Sequence, residues 1–369
     1  MVNDTFAFII HPIDPKTDVA RKYPLLGKAL PEPLIHFLSS YWPPVYISHI
    51  EGVRSAATGK EVHGWFVAAP YTPRQMLKLP VERVYRKIVQ TGRLAERLGA
   101  GILGLGAFTS VVGDAGITIA QRLDIPVTTG DAYTVAIAAQ AILEAGRLMG
   151  IEPRQAATAI IGATGAIGSA CSQLLAHEVG RLTLIGRREE ALAAVRERCE
   201  GGTAQLKTST DLNAMNDADL IVAVTSSIGA IVEPQHLKPG AVVLDVARPR
   251  DVSVAVARER SDVLVIEGGM VEVPGPVDFH FDFGFPPGKA YACMAETMTL
   301  ALEGRYEDYT LGRDIAIERI REINTLASRH GFRLSGLRSF EREVTWEHIA
   351  GVRERAHYAL RSLRSLATP

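Results

Sequence analysis

Apolar runs of strand length open the chain. Residues 6–10 form a short apolar segment that stops before Pro12, which is typical of a strand. Apolar runs at 45–53 and 63–69 flank a turn that contains Gly59, and this arrangement predicts a β-hairpin. The beginning of the chain is therefore expected to form a sheet.

Helical periodicity appears next. Apolar residues recur three and four positions apart along Val81–Leu98, and Gly99 follows, so an amphipathic helix is predicted there. Residues 101–107 predict a strand that runs into a Gly-rich loop, and a long helix is predicted over 133–149. We assign residues 1–150 to an N-terminal α/β domain.

From residue 151 onward, strand-like and helical stretches alternate. The strand-like runs are short and apolar, and they lie at 158–161, 182–185, 219–224, 241–246 and 263–267. Such alternation predicts a parallel sheet with crossover helices. We assign residues 151–285 to a Rossmann-like NADP-binding domain and 286–369 to a C-terminal helical segment, with breaks at Gly304 and Gly331. The predicted fold class is α/β.

Composition and charge narrow the classes of protein. Hydrophobic residues make up 47% of 369 and the net charge is -1, so nothing global attracts nucleic acid or an anionic membrane. No apolar run reaches the roughly 20 residues that span a bilayer, and no secretory leader is expected. The three cysteines are widely spaced and predict neither a disulfide framework nor a metal site. We expect a cytoplasmic protein in a reducing compartment.

A glycine-rich turn lies between the first strand and the first helix of the second region. Glycine lets the backbone approach a pyrophosphate, and the free N–H groups of a helix start hold its negative charge. The spacing is G-x-x-G-x-x-G, and the strand before and helix after favour dinucleotide binding over a merely structural turn. The predicted cofactor contacts here are Gly162, Thr164, Gly165, Ala166, Ile167 and Gly168.

The end of the next strand indicates which cofactor is preferred. A carboxylate there usually binds the ribose 2′-OH of NAD, whereas arginine accommodates the 2′-phosphate of NADP. Arg187 and Arg188 occupy this position, ahead of two glutamates. A solvated charge pair is the alternative, but cations at a helix N-terminus are mildly unfavourable. The sequence therefore predicts NADPH.

Two further turns are cofactor candidates by position alone. Thr225 and Ser226 follow a strand and would lie along the ribose, and Gly268 and Gly269 follow a later strand and would allow close approach of the nicotinamide. Ordinary turn chemistry explains these residues nearly as well.

Cys293 is the candidate nucleophile. It follows a Pro- and Gly-containing loop and lies in the first or second turn of a helix predicted over 289–302. In the first turns of that helix, the helix dipole and Lys289 at i−4 would stabilise a thiolate. The alternative is a small core residue, the role we expect for Cys171 and Cys199.

The chain resembles the long-chain fatty acyl-[acyl-carrier-protein] reductases of the cyanobacterial alkane pathway, nearly throughout to about Leu337. The similar segments are colinear and lie at 57–60, 63–64, 105–110, 128–130, 161–170, 267–272, 292–298, 302–304, 311–313 and 329–332. The resemblance implies that Cys293 accepts the acyl group and that NADPH is the cofactor. It further implies an acyl-carrier protein or CoA thioester as substrate and a fatty aldehyde as product, with an aldehyde-consuming enzyme as partner.

Two stretches depart from the family pattern. Residues 274–288, directly before Cys293, differ from the cyanobacterial proteins, and the tail from Ser339 looks like an extension. The first departure leaves the acyl-chain length and the choice between carrier protein and CoA open.

The remaining roles are assigned with alternatives. His280 is a candidate proton donor, although a loop histidine is the simpler interpretation. A backbone N–H, His11 and His63 are further candidates. The acyl slot is expected from the 104–108 loop and the helix from Tyr133. An acidic carrier would bind a basic patch, for which the candidates, more often solvated charges, are Arg248, Arg250, Arg258, Arg260 and six arginines from Arg338 on.

Two other functions stay open at this stage. A shikimate-dehydrogenase-like or amino-acid-dehydrogenase-like oxidoreductase shares the layout of a catalytic domain before an NADP domain, and it needs no thiol. A regulatory protein that binds NADPH without turnover would show no acyl-dependent oxidation of the cofactor.

Overall fold

The computed structural model describes residues 4–227, 229–340 and 342–367. The strands of the described chain are β1 (Thr5–Ile10), β2 (Val45–Arg54), β3 (Glu61–Ala68), β4 (Leu103–Leu105), β5 (Val127–Thr128), β6 (Ala157–Ile161), β7 (Arg181–Ile185), β8 (Gln205–Ser209), β9 (Leu220–Ala223), β10 (Val242–Asp245), β11 (Leu264–Glu267), β12 (Met270–Glu272), β13 (Lys289–Tyr291), β14 (Arg333–Leu334), β15 (Arg338–Ser339) and β16 (Arg342–Glu343).

The helices alternate with these strands along much of the chain. They are α1 (Pro15–Lys22), α2 (Pro24–Ala29), α3 (Glu32–Ser39), α4 (Pro73–Lys78), α5 (Val81–Leu98), α6 (Phe108–Val111), α7 (Ile117–Ala120), α8 (Asp131–Leu148), α9 (Ala166–Leu175), α10 (Glu189–Arg198), α11 (Val254–Glu259), α12 (Ala292–Glu303), α13 (Ile317–His330) and α14 (Trp346–Ala367). The predicted α/β class is confirmed.

Two compact units divide the chain. The first contains the residues up to Thr134 together with Val271–Arg333, and the second contains Val135–Met270 together with the described residues from Leu334 on. These bounds differ from the predicted domains 1–150, 151–285 and 286–369. Each unit is built from two separate stretches of the chain. The later stretch of the first unit includes α12, which packs on β1, β3 and β4.

The first unit is built on a five-stranded sheet of order β2-β3-β1-β4-β5. The predicted hairpin is confirmed, since β2 and β3 pair antiparallel, whereas β1 pairs parallel with both β3 and β4. The central strand β1 is buried along almost its whole length, as expected of a parallel strand covered on both faces. Helix α5 has the predicted bounds and ends at Gly99, whose φ of 91° closes the helix in the left-handed conformation.

The second unit is built on a six-stranded parallel sheet of order β11-β10-β9-β6-β7-β8. This is the 3-2-1-4-5-6 order of doubly wound nucleotide-binding sheets, counted from β6. The strand order reverses between β6 and β9, and ligands of such sheets bind at the carboxyl ends of the strands beside that reversal. The predicted Rossmann-like sheet is confirmed, and its geometry places the glycine turn after β6 at the reversal.

Helix α14 belongs to the second unit, where the prediction placed a separate helical segment. Ile349, Val352 and Ala356 are buried and lie on one face of the helix at spacings of three and four residues. The Arg355 guanidinium donates to the Ser261 carbonyl at 2.8 Å, and that of Arg353 donates to the Leu148 carbonyl at 3.3 Å. These tail arginines therefore hold the helix to its own unit. No helix among the described residues is long and apolar enough to cross a membrane.

Candidate functional site

The glycine turn after β6 has the geometry of a phosphate-binding turn. Gly162 has a φ of +85°, and a Cβ there would lie 2.5 Å from the Val224 carbonyl oxygen, so only glycine fits. A Cβ at Gly168 would lie 2.2 Å from the carbonyl oxygen of Gly162, so this glycine lets α9 pack directly on the turn. At Gly165 a Cβ would meet only that same carbonyl oxygen, at 3.3 Å. Packing therefore requires glycine at two positions and leaves Gly165 facing free space.

The start of α9 is suited to an anion. Gly165 is the N-cap, and no side chain of the described residues caps this helix, so its first backbone N–H groups are available. Thr164, Ala166 and Ile167 complete the predicted contact set around that N-terminus. Their contacts with a cofactor stay predictions.

The two arginines lie beside this turn. A Cβ at Gly186, the residue before them, would lie 3.2 Å from the Cγ2 of Thr164, so the end of β7 adjoins the glycine turn. Arg187 and Arg188 are exposed, and neither forms an ion pair with another described residue. Their guanidinium groups are therefore available to a ligand phosphate.

Thr225 has a structural partner that sequence reasoning missed. Its backbone N–H and its hydroxyl donate to the two carboxylate oxygens of Asp251, at 2.7 and 2.6 Å. Burial raises the pKa of this carboxyl to about 6. The pair fixes the loop after β9, where Ser226 follows. Gly268 and Gly269 follow β11, and a Cβ at Gly268 would lie 2.9 Å from Val246 Cγ2, so packing alone explains that glycine.

The proposed basic patch is largely used within the protein. Glu267 is almost fully buried and pairs with Arg250 at 2.8 Å and with Arg248 at 3.4 Å. Arg260 pairs with Asp262 at 2.8 Å. Because these guanidinium groups neutralise carboxylates of their own unit, they are poor candidates for a carrier-protein surface.

Cys293 lies in the first turn of α12 and packs against the turn before α8. Gly130 has a φ of +77°, and a Cβ there would lie 2.4 Å from both Cα and Cβ of Cys293. Glycine is thus required for the thiol-bearing residue to reach this turn. The next residue, Asp131, is buried and begins α8. The structure therefore brings the candidate nucleophile beside a buried carboxyl.

A second buried carboxyl completes this site. Glu296, one turn after Cys293, accepts hydrogen bonds at Oε1 from the hydroxyls of Thr128 and Thr310, at 2.5 and 2.8 Å. Its Oε2 accepts from the Tyr133 backbone N–H in the first turn of α8, at 2.8 Å. Glu296 therefore ties α12 to the N-terminus of α8, where the helix dipole favours negative charge.

The electrostatics of this site correct the expectation of a stabilised thiolate. The pKa of the Cys293 thiol is raised to about 12, because burial disfavours the thiolate and the carboxylates of Asp131 and Glu296 repel it. The backbone N–H groups of Met294 and Cys293 lower it, as a helix start should, but less than burial raises it. Lys289 lies in β13 and not in the helix, so the i−4 relation does not exist.

Asp131 titrates near neutrality. Burial and the neighbouring Glu296 raise its pKa to about 7, against a smaller opposing hydrogen bond from Thr129. Burial likewise raises the pKa of Glu296. Sequence reasoning missed both acids, although Asp131 directly follows the family-like segment 128–130 and Glu296 lies inside 292–298. The similarity of these two segments to the family was the sequence evidence that could have identified Asp131 and Glu296.

The proposed histidines have other partners. His280 is exposed, its Nε2 lies 2.9 Å from Glu51 Oε1, and its ring stacks on His49. The buried His11 accepts at Nε2 from the Phe108 backbone N–H, at 3.0 Å, and burial lowers its pKa to about 4. His280 as proton donor stays a prediction, and its contacts agree with the simpler role of a loop histidine.

An aromatic strip lies in the first unit, and three of its five residues fall in the stretch 274–288 that departs from the family pattern. Neighbouring ring centroids lie 4.3 to 5.7 Å apart along Phe66, Phe279, Phe283, Phe285 and Tyr291. Tyr291 is the N-cap of α12, two residues before Cys293. The strip runs from the buried rings of Phe66 and Phe279 to half-buried rings that lead along the chain to the candidate nucleophile.

Known proteins resemble both parts of the molecule. The sequence model of the shikimate / quinate 5-dehydrogenase family matches residues 144–267, which include the glycine turn. The long-chain acyl-[acyl-carrier-protein] reductase of Synechococcus elongatus is 30% identical over 306 residues, covering 79% of this chain and 87% of that protein. The aminotransferase PigE of a Serratia species is 32% identical over 315 residues, covering 84% of this chain. This chain spans 36% of PigE.

Among solved structures, the A chain of dipicolinate synthase from Bacillus subtilis is 15% identical over 51% of this chain and 61% of its own, with a TM-score of 0.33. So low a score carries no functional argument. The parallel sheet, the glycine turn and the dehydrogenase match define an oxidoreductase-type enzyme with a nicotinamide-dinucleotide fold. Within that class, the chain belongs to the family of long-chain acyl-[acyl-carrier-protein] reductases.

Proposed function

We propose that this protein reduces a long-chain acyl thioester to a fatty aldehyde with NADPH, through an acyl-enzyme on Cys293. The observation that carries the proposal is the placement of Cys293 against Gly130, beside the buried carboxyl of Asp131. A core cysteine needs no titratable neighbour, whereas a nucleophile with a raised pKa needs a base. The family relationship supports an acyl-carrier protein thioester as substrate, with the CoA thioester as the other source of the acyl group.

Asp131 is the base in this proposal. Ionised Asp131 accepts the thiol proton as Cys293 Sγ attacks the thioester carbonyl, so that a free thiolate, whose formation these surroundings disfavour, need not form first. The new S–C bond replaces the bond to the carrier sulfur, and the departing carrier thiolate takes this proton from Asp131 and leaves as a thiol. Backbone N–H groups at the start of α12 are suited to hold the carbonyl oxygen as it gains negative charge.

The cofactor site fits NADPH by its free helix N-terminus, the open position at Gly165 and the two unpaired arginines. When bound, NADPH would supply the hydride that, together with a proton from solvent, reduces the Cys293 thioester to a hemithioacetal. Collapse of the hemithioacetal returns the thiol of Cys293 and releases the aldehyde. The aldehyde is reactive, so an enzyme that consumes it is the expected downstream partner.

The acyl chain needs an apolar surface close to the nucleophile. The half-buried part of the aromatic strip, Phe283, Phe285 and Tyr291, offers one and ends at the N-cap of α12. This surface would extend the acyl-chain slot that is predicted from the 104–108 loop and α8. Because most of the strip lies within 274–288, it offers a physical basis for a chain-length preference that differs from the cyanobacterial relatives.

Replacing both Arg187 and Arg188 tests whether they bind the 2′-phosphate of NADPH. A charge-assisted hydrogen bond contributes about 1.5–3 kcal/mol, so losing the equivalent of one such bond to the 2′-phosphate in Arg187→Ala/Arg188→Ala should weaken NADPH binding roughly 10- to 100-fold. NADH binding should change little, since NADH lacks the 2′-phosphate. The measurement is fluorescence titration with both cofactors, with Arg196→Ala on α10 as the exposed control. Equal losses for NADH and NADPH would contradict a 2′-phosphate role.

The proposed activity is tested by mixing the protein with NADPH and a long-chain acyl-carrier protein thioester. We expect oxidation of NADPH with formation of one aldehyde per NADPH, measured by absorbance and gas chromatography. The dehydrogenase match over 144–267 favours a second candidate, a shikimate-dehydrogenase-like oxidoreductase. That enzyme would oxidise shikimate with NADP and would retain its activity in Cys293→Ser. Turnover of shikimate, with none of the acyl thioester, would refute the proposal.

A further inference from the structure

Two histidines and one glutamate converge on the surface of the first unit. His49 and Glu51 lie at positions i and i+2 of β2, with buried Ile50 between them, so both side chains project from the exposed face of the strand. His280 comes from a segment 229 positions later in the sequence. One ligand atom from each residue lies within 4.8 Å of the other two. The spacing of these residues in the sequence does not predict the cluster, because His280 lies far from His49 and Glu51.

Both imidazoles present their Nε2 atoms to the same carboxylate. Nε2 of His280 lies 2.9 Å from Glu51 Oε1, and Nε2 of His49 lies 3.5 Å from Glu51 Oε2. The two rings are stacked, with centroids 4.0 Å apart. Donors bound to one tetrahedral Zn²⁺ at its usual bond lengths lie roughly 3.4 Å apart, close to these separations.

The backbone holds this arrangement in place. Glu51 and Asp278 form an antiparallel bridge through both backbone hydrogen bonds, at 3.0 and 2.9 Å. The Asp278 carboxylate accepts from the His280 backbone N–H at 2.8 Å, and its Oδ2 lies 3.5 Å from His280 Nδ1. A carboxylate at Nδ1 orients the ring so that Nε2 faces a metal, as is usual for metal-binding histidines.

His280 adopts a backbone conformation that side chains usually avoid. Its φ is +47°, in the left-handed region. Strain of this kind persists where the surroundings require it, and it is common at ligand sites. An exposed ion pair between one histidine and Glu51 contributes little and gives no reason for a second imidazole on the same carboxylate.

We propose that His49, Glu51 and His280 bind a divalent transition-metal ion, with Zn²⁺ as the preferred ion, through the two Nε2 atoms and the Glu51 carboxylate. Mixed imidazole and carboxylate ligands suit Zn²⁺. Water would complete the coordination. The ion would attach the segment that carries Phe279 and Phe283 to β2, and so stabilise the first unit. Binding of the ion itself does not require the reductase reaction.

The test is calorimetric titration of the tag-free, chelator-treated full-length protein with zinc sulfate, together with thermal denaturation. We expect one Zn²⁺ per chain and a higher Tm with zinc, because the ion binds the folded state. His49→Ala and His280→Ala should each weaken binding more than about 100-fold, and Asp278→Asn about 10-fold. His63→Ala is the matched control, an exposed histidine on the neighbouring strand β3, and should bind normally.

The variant Cys293→Ala tests whether zinc binds at this cluster and not at the Cys293 thiol. Its zinc binding should equal that of the wild type, because none of the three ligands changes. Circular dichroism verifies that each variant is folded. No stoichiometric zinc binding by the wild type would overturn the proposal, and so would undiminished binding by His49→Ala/His280→Ala.

Discussion

Cys293→Ala is expected to lose aldehyde formation by about 10³-fold or more while still binding NADPH. Without the thiol there is no acyl-enzyme, and hydride transfer has no enzyme-bound thioester to reduce. The glycine turn and the arginines belong to the other compact unit, so the cofactor affinity should stay at the wild-type value. The measurement combines steady-state aldehyde production with titration of NADPH.

Cys199→Ala is the control for loss of a thiol elsewhere. Cys199 is buried at the end of α10, where burial raises the pKa of its thiol to about 11, and it lies outside the proposed machinery. This variant should keep the activity. Full aldehyde formation by Cys293→Ala would contradict the covalent mechanism and favour an oxidoreductase that needs no thiol.

Asp131→Asn is expected to slow acylation by about 10²- to 10⁴-fold, the usual contribution of a positioned general base. Asparagine keeps the size of the side chain but accepts no proton. Because burial disfavours an ionised Asp131, the substitution should not lower the Tm at pH 8. The rate constant of acylation, measured by stopped flow without NADPH, separates this step from reduction. Asp124→Asn, at an exposed position of the same unit, should acylate normally.

The pH dependence of acylation follows from the same residue. Asp131 has its pKa raised to about 7, so the base is protonated and inactive below that pH and ionised above it. The wild-type rate should therefore rise as the pH increases through about 7. This inflection should be absent in Asp131→Asn. An unchanged inflection in that variant would assign it to another group.

The elements that sequence patterns predicted well are those with a strong apolar signal. Helix α5 combines a periodic apolar face with a terminal glycine, and the central strands of the second sheet are apolar because both faces are covered. Strand β8 escaped prediction because its sequence, Gln205–Ser209, is polar and lies at the exposed edge of that sheet. The compact units differ from the predicted domains because the chain leaves the first unit within α8 and returns to it within β12.

The two halves of the candidate site differ in how far sequence could predict them. The dinucleotide turn is local, since one strand, one turn and one helix supply it within about a dozen residues. The thiol site joins Gly130 and Asp131 to Cys293 and Glu296, which are more than 150 positions apart in sequence. Only the fold brings these groups together, and only in the folded chain do the two carboxyls raise the pKa of the Cys293 thiol.

The most direct test of the central claim is intact-mass spectrometry of the protein after mixing with a long-chain acyl-carrier protein thioester in the absence of NADPH. The wild type should gain the mass of one acyl group, and NADPH added afterwards should remove it with release of aldehyde. Cys293→Ala should gain nothing. A wild-type protein that turns over the thioester without an adduct, or an adduct that persists in Cys293→Ala, would contradict the acyl-enzyme on Cys293.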